Sequence, residues 1–360
     1  MAELITVPRP LRLGAAYHGN RMPHHAAEDF RDMASHGMDL VVHMLSHTDL
    51  DRHLEVMRRL VGMSEDAGLE PWIDNWGLGG PPGDKSHFLS YSPESHVIMS
   101  DGRPDPVRVC VNSPAFRQFT REWIDAVAHI GGKTIFWDEP HLPRKSVDGK
   151  TYYGCTCERC RALFESKYGH PMPESPDAET EEFGAEQIAG YFAEMTEYSH
   201  SKGIRNAVCV MIGTYGMSLS QADRIAALPY MDNIGSDPYW IGRKKKDPGL
   251  DVYRFVRSEA EKNIDLCEKN GKDHNLWLQV YSNPRGCEED IITAADALYD
   301  AGARTVIAWG YYGSESNDYG AENPVAAWSR CCEAMARLRG FEHDRRLAAD
   351  RAAYRKTTKV

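Results

Sequence analysis

A pair of carboxylates and a cluster of cysteines carry the chemistry most easily read from this sequence. Asp138 and Glu139 follow a short apolar run of β-formers, Thr134 to Trp137, and Pro140 ends it at once. A carboxylate at the end of a buried strand is costly unless it is paired or used, because desolvation disfavours its charge. Glu139 is therefore read as an acid/base catalyst rather than half of a structural salt bridge. Just downstream, Cys155, Cys157 and Cys160 form Cys-x-Cys-x-x-Cys, which puts three soft ligands within one loop and one helical turn. Zinc takes four ligands in a tetrahedron with sulfur at about 2.3 Å, and Cys110 is the obvious fourth. Four thiolates fill the coordination sphere, so the expectation is one structural zinc per chain and no open catalytic position. The plainer alternative is four reduced cysteines. Cys209, Cys267, Cys331 and Cys332 read as packing residues, and Cys287 as a loop thiol.

Short β-type runs alternate along the chain with helix-type runs and must position these groups. Eight such runs are predicted: Arg12–Tyr17, Met38–Leu45, Leu69–Ile73, Thr134–Trp137, Asn206–Ile212, Asn233–Ser236, Leu276–Val280 and Arg304–Trp309. Helices are predicted at Ala26–His36, Asp51–Ala67, Ser113–Ile130, Thr180–Lys202, Glu288–Ala301 and Ala326–Leu338, with Ser113 and Pro114 as N-cap and first helical residue. A Gly/Pro-rich loop fills residues Gly77 to Asn112. Eightfold strand–helix alternation predicts a (β/α)8 TIM barrel, an α/β fold, better than an open doubly wound sheet. One catalytic domain spans residues 1–345, with the cysteine loop as an excursion after the fourth strand, and residues 346–360 form a polar, basic tail. Gly77-Leu78-Gly79-Gly80 stands too late and among too many prolines to be a dinucleotide fingerprint.

Barrel enzymes carry their sites at the carboxyl ends of the strands. Here those ends read Tyr17-His18, His43, Asp74-Asn75-Trp76, Asp138-Glu139, Asp237-Tyr239-Trp240, Gln279-Tyr281, and Trp309 with Glu315 nearby. Acids interleaved with aromatic rings suit sugars, since ring faces stack on C–H surfaces and acids move glycosidic protons. Phosphate chemistry would instead call for Arg, Lys and Gly at these positions. The predicted contact set for sugar is Asp74, Trp76, Tyr239, Trp240, Gln279 and Trp309. His18 and His43 are read as satisfied polar groups or sugar hydrogen-bonders, not metal ligands.

Three segments together resemble the family 42 β-galactosidases, glycoside hydrolases of clan A. Cys110-Val-Asn-Ser-Pro-Ala-Phe-Arg117 is similar to a segment of that family, and Ile135 to Glu139 to its acid/base strand. Cys155 to Cys160, with Phe164 and Tyr168-Gly169, is similar to its zinc loop. The resemblance implies that Glu139 donates the proton and that Cys110, Cys155, Cys157 and Cys160 hold zinc. There are two departures. Asp138 stands where the family has an Asn, and Gln279 where it has its nucleophilic Glu. A carboxamide is a poor nucleophile, so the second carboxylate must come from elsewhere. Asp237 leads, with Asp138 and Asp74 in reserve, at the separation of about 6.5–9.5 Å that inverting enzymes use.

The predicted activity is thus hydrolysis of a glycosidic bond. A metal-dependent sugar isomerase or epimerase and a non-catalytic sugar-binding barrel are the rivals. The first needs well-placed histidines; the second explains Gln279 but not the Asp138–Glu139 pair. A net charge of −11 without a basic stripe argues against a nucleic-acid partner. No stretch reaches the roughly 18 apolar residues of a membrane span, and the start lacks a signal peptide's apolar segment. Nine cysteines without an export signal suit a reducing compartment, so a cytoplasmic enzyme acting on carbohydrate is expected. The oligomeric state is open, a homo-oligomer included.

Overall fold

The computed structural model describes residues 10–18, 20–76, 86–212 and 217–357, with side chains through Arg346. The N-terminal segment before Pro10 and the first part of the Gly/Pro-rich loop, Gly77 to Lys85, lie outside the described residues. Eight parallel strands close into a barrel. They are β1 (Arg12–Tyr17), β2 (Leu40–Met44), β3 (Glu70–Asp74), β4 (Thr134–Trp137), β5 (Arg205–Cys209), β6 (Asn233–Ser236), β7 (Asp273–Gln279) and β8 (Thr305–Trp309). Each pairs with its sequence neighbours, and β8 closes onto β1 with Ala308 opposite Ala15. The fold is a (β/α)8 TIM barrel, as the alternation predicts.

The strands read as continuous apolar runs because both of their faces are covered. Along β4, Phe136 points into the barrel with Trp72, Ala207 and Trp277. Ile135 and Trp137 point outward into the layer shared with the helices. Trp137 is fully buried, and its indole N–H donates to the Asn206 Oδ1 at 3.0 Å. Burying a side chain of this size contributes on the order of 2 kcal/mol or more. Ser113 does cap a helix, Pro114–His129, its hydroxyl accepting the Phe116 N–H.

Strand ends differ from the sequence expectation by up to three residues, at β7, which begins at Asp273 rather than Leu276, and at β5, which ends at Cys209 rather than Ile212. The predicted helix Asp51–Ala67 is broken at His53 into His47–Arg52 and Leu54–Asp66. Two antiparallel hairpins interrupt the alternation. His96–Ile98 pairs with Pro104–Val109 inside the predicted loop. Arg144–Val147 pairs with Lys150–Tyr153 through an Asp148-Gly149 turn with both residues at positive φ. Such a turn is the usual two-residue hairpin connection, so the Asp-Gly pair was a legible signal. The final helix runs unbroken over Pro324–Thr357, so the basic segment from Arg345 continues it. No helix among the described residues is long and apolar enough to cross a membrane.

Candidate active site

At the carboxyl ends of the strands a recess of about 210 Å³ opens. Ten residues line it: Trp76, Asp138, Glu139, Cys209, Asp237, Tyr239, Trp277, Tyr281, Trp309 and Tyr319. The three predicted catalytic acids therefore stand together, with three of the predicted sugar contacts, Trp76, Tyr239 and Trp309.

The position of Glu139 follows from its backbone. Successive residues of a strand face opposite sides, so Asp138 and Glu139 should diverge. Glu139 instead has φ = 37°, in the left-handed region that non-glycine residues seldom occupy. The chain turns there, and both side chains line the recess. Strained backbone of this kind persists only where its surroundings hold it. Asn75 Oδ1 accepts the Asp138 N–H at 3.0 Å. The Glu139 carbonyl accepts a hydrogen bond from His141 Nδ1 at 2.7 Å. Burial and the Arg108 guanidinium push the His141 pKa down to about 4, so the ring is neutral at pH 7. Its Nδ1 carries the proton that the carbonyl accepts, which leaves Nε2 to accept from Arg108 at 3.3 Å.

Glu139 and Asp237 are hydrogen-bonded through their carboxyl groups. Burial raises the pKa of Glu139, and burial together with the Glu139 charge raises that of Asp237 well above the carboxylate range. Two buried acids in contact resist ionising together, which favours a proton held within the pair. This corrects the expected spacing. Asp237 does not stand about 6.5–9.5 Å from Glu139 with room for water, because the turn at Glu139 swings its side chain across to the end of β6. Cys209, read as a packing residue, is a floor residue of the recess, and its thiol donates to Asp237 Oδ1 at 3.6 Å.

The aromatic residues form a connected wall. Tyr239 meets Tyr281 at 5.2 Å, Tyr281 meets Tyr319 at 5.9 Å, and Tyr319 meets Trp76 at 6.4 Å between ring centroids. Trp76 then meets Trp309 at 6.2 Å, and Trp309 meets Trp277 at 5.2 Å. Three of these rings lie outside the predicted contact set. Trp277 shares a strand face with Gln279, and period-two reasoning along β7 could have found it. Tyr281 stood among the strand ends. Tyr319 had no local signal, because it is brought in by the Ser282 N–H and hydroxyl, which both donate to its carbonyl.

The other three predicted sugar contacts do not line the recess. Asp74 is in register with Phe136, one layer beneath Asp138, and is fully buried. It accepts the Trp76 N–H at 2.9 Å, and burial raises its pKa to about 8. Trp240 packs in the outer layer between strands and helices, 1% exposed. Gln279 accepts the Ile241 N–H at 3.1 Å and so ties the end of β7 to the segment after β6. A second recess of about 410 Å³ adjoins the first, lined by residues that include Tyr17, His18, Asn20 and Glu315. His18 separates the two, touching the rings of Trp76 and Trp309. His43 is buried, with Nε2 3.0 Å from the Ser64 hydroxyl.

The four predicted metal cysteines converge. Their sulfurs all lie within 4.8 Å of one another, with Cys110 at 3.5 Å from Cys160 and 3.8 Å from Cys157. A tetrahedron of sulfurs at the zinc bond length has edges of about 3.8 Å, so the cluster fits. Asn112 Nδ2 donates to the Cys160 sulfur at 3.4 Å. Val97, Met99, Phe164 and Phe183 surround the cluster, which joins the His96–Val109 hairpin to the helix Glu158–Tyr168.

No protein-family model matches the sequence, and no curated protein does. Solved structures share the barrel. The endo-1,4-β-mannanase from Rhizomucor miehei matches with a TM-score of 0.58 at 12% identity, over 93% of this chain and 97% of that one. For the endo-β-1,4-mannanase from Thermotoga petrophila the TM-score is 0.56 at 12% identity, over 92% and 77%. The D-allulose 3-epimerase from Methylomonas sp. gives 0.49 at 13% identity, over 92% and 99%. At such identities the likeness is one of fold alone.

Proposed function

We propose that this barrel hydrolyses a glycosidic bond, with Glu139 as the general acid. One observation carries the reading: two buried carboxyls in contact, both pushed toward the protonated form, open into a recess walled by aromatic rings. A general acid must be protonated at working pH, and burial pushes Glu139 toward that form. Glu139 delivers the proton to the leaving oxygen, and Asp237 holds the proton in reserve and spreads the charge left behind. Asp138, its backbone N–H held by Asn75, takes the proton of the water that attacks the anomeric carbon, so the bond to water forms as the glycosidic bond breaks. The ring faces pack on the sugar and keep water from its apolar side. The resemblance to the family 42 β-galactosidases supports this assignment of Glu139.

Cys110, Cys155, Cys157 and Cys160 would hold a structural zinc. All four positions are sulfur, so the ion would brace the loop after β4 and leave no site for water activation. A metal-dependent epimerase would need ligands such as histidine at the mouth, and no histidine lines the recess among the described residues.

The test compares Glu139→Gln with the parent on nitrophenyl glycosides and on alkyl glycosides. Alkyl leaving groups need protonation, so their turnover should fall on the order of 10²–10⁴-fold, and nitrophenyl turnover much less. Equal losses on both would move the acid role away from Glu139.

A further inference from the structure

Among the described residues, the ionisable carboxyls and bases that line the recess are of one sign only. Three of the ten described lining residues are carboxylic acids, six are aromatic and one is Cys209, and no Lys, Arg, His, Asn or Gln side chain is among them. The Arg108 guanidinium, which acts on Glu139, is not among the lining residues and is engaged by Asp105 at 3.7 Å and by His141. The rings are not arranged as one platform. Tyr239 and Tyr281 meet at 82°, Tyr281 and Tyr319 at 81°, Trp76 and Tyr319 at 88°, and Trp76 and Trp309 at 83°.

Rings set steeply to their neighbours wall the recess on more than one side, so a compact group carried by a sugar meets several of them at once. The face of an aromatic ring carries negative charge density and attracts a cation, more strongly when water is excluded. Carboxylates within the same walls add to that attraction, because charges interact more strongly away from bulk water. Among the described residues the walls hold rings and acids and no base, which is the chemistry that recognises an organic ammonium.

We infer that the recess takes the ammonium group of an amino sugar with a free amine, and that the glycoside cleaved is one of these sugars. The inference rests on the hydrolase reading for the bond cleaved, but not for the binding. An ammonium carried on an aglycone presents the same chemistry, and free amino sugars set against tetramethylammonium separate the two sources.

Calorimetry on the full chain at pH 6.5 would compare glucosamine, galactosamine and mannosamine with their parent sugars, their N-acetyl forms and tetramethylammonium. At least one amino sugar should bind ten-fold or more tighter than its parent and N-acetyl counterparts, and tetramethylammonium should compete with it. The preference should shrink in Asp138→Asn and in Tyr281→Leu, and Tyr281→Phe should restore it. Equal binding of amino and neutral sugars overturns the inference and leaves the hydrolase reading standing. Binding of tetramethylammonium without any sugar overturns the amino-sugar assignment. Tight amino-sugar binding without hydrolysis of any glycoside upholds the inference and removes the hydrolase reading.

Discussion

Glu139, just beyond β4, and Asp237, just beyond β6, hold a hydrogen bond between their carboxyl groups although a whole strand, β5, runs between theirs. The contact exists because Glu139 has left extended geometry and its side chain turns across the mouth. In Asp237→Asn the carboxyl neighbour becomes an amide that can donate to an ionised Glu139. Glu139 then loses its proton at lower pH. The alkaline limb of kcat/KM should therefore move to lower pH. An unmoved limb would show that the pair does not share its proton.

Gln279 fills the place that resemblance gives to a nucleophile, yet its carboxamide is engaged by the Ile241 N–H and is 3% exposed. Gln279→Glu should keep that hydrogen bond and stay outside the recess. No covalent adduct should form with a fluorosugar, by mass spectrometry of the intact chain. An ester mapped to position 279 would refute this. Gln279→Leu leaves the N–H without a partner and should cost about 1–3 kcal/mol of stability.

Asp74 is buried with its pKa raised to about 8 from an ordinary value near 3.8. Between these values the unfolded chain has released the proton while the folded chain keeps it. Fewer protons on the unfolded state mean that stability falls as pH rises from about 4 to about 8 and then levels off. Asp74→Asn keeps an acceptor for the Trp76 N–H and removes the titration. Its melting temperature should gain on the parent steadily from pH 5 to pH 8, and a constant difference across that range would contradict the assignment.

The cysteine cluster predicts metal content. Chain purified without chelator should hold about one zinc, measured by atomic emission. Cys157→Ser should lower the melting temperature by several degrees, because a structural metal's binding energy is folding energy. Turnover of nitrophenyl glycosides at low temperature should change far less. Chelator that abolished turnover without touching stability would point to a metal in the chemistry instead.

Much of this was legible one residue after another. Alternating apolar and helix-type runs specify the barrel because every parallel strand is covered on both faces and must be apolar throughout. The barrel in turn makes strand ends the place to look, and Asp138, Glu139, Asp237, Trp76, Tyr239 and Trp309 all follow from that rule. The cysteine spacing gave three ligands, and the fourth was a matter of residue type.

Tertiary structure decided what depends on depth and direction. Asp74 and Asp138 look alike in sequence, both ending a strand, but the stagger of β3 against β4 sets Asp74 one layer lower. Trp240 and Trp309 are both tryptophans at strand ends, one turned to the helices and the other to the recess. Tyr319 arrives through a loop hydrogen bond, and the Glu139–Asp237 contact through a single positive φ. A sequence states which groups are available and with what period. Which two groups share a proton is settled only when strand stagger and one backbone rotation bring them to the same point in space.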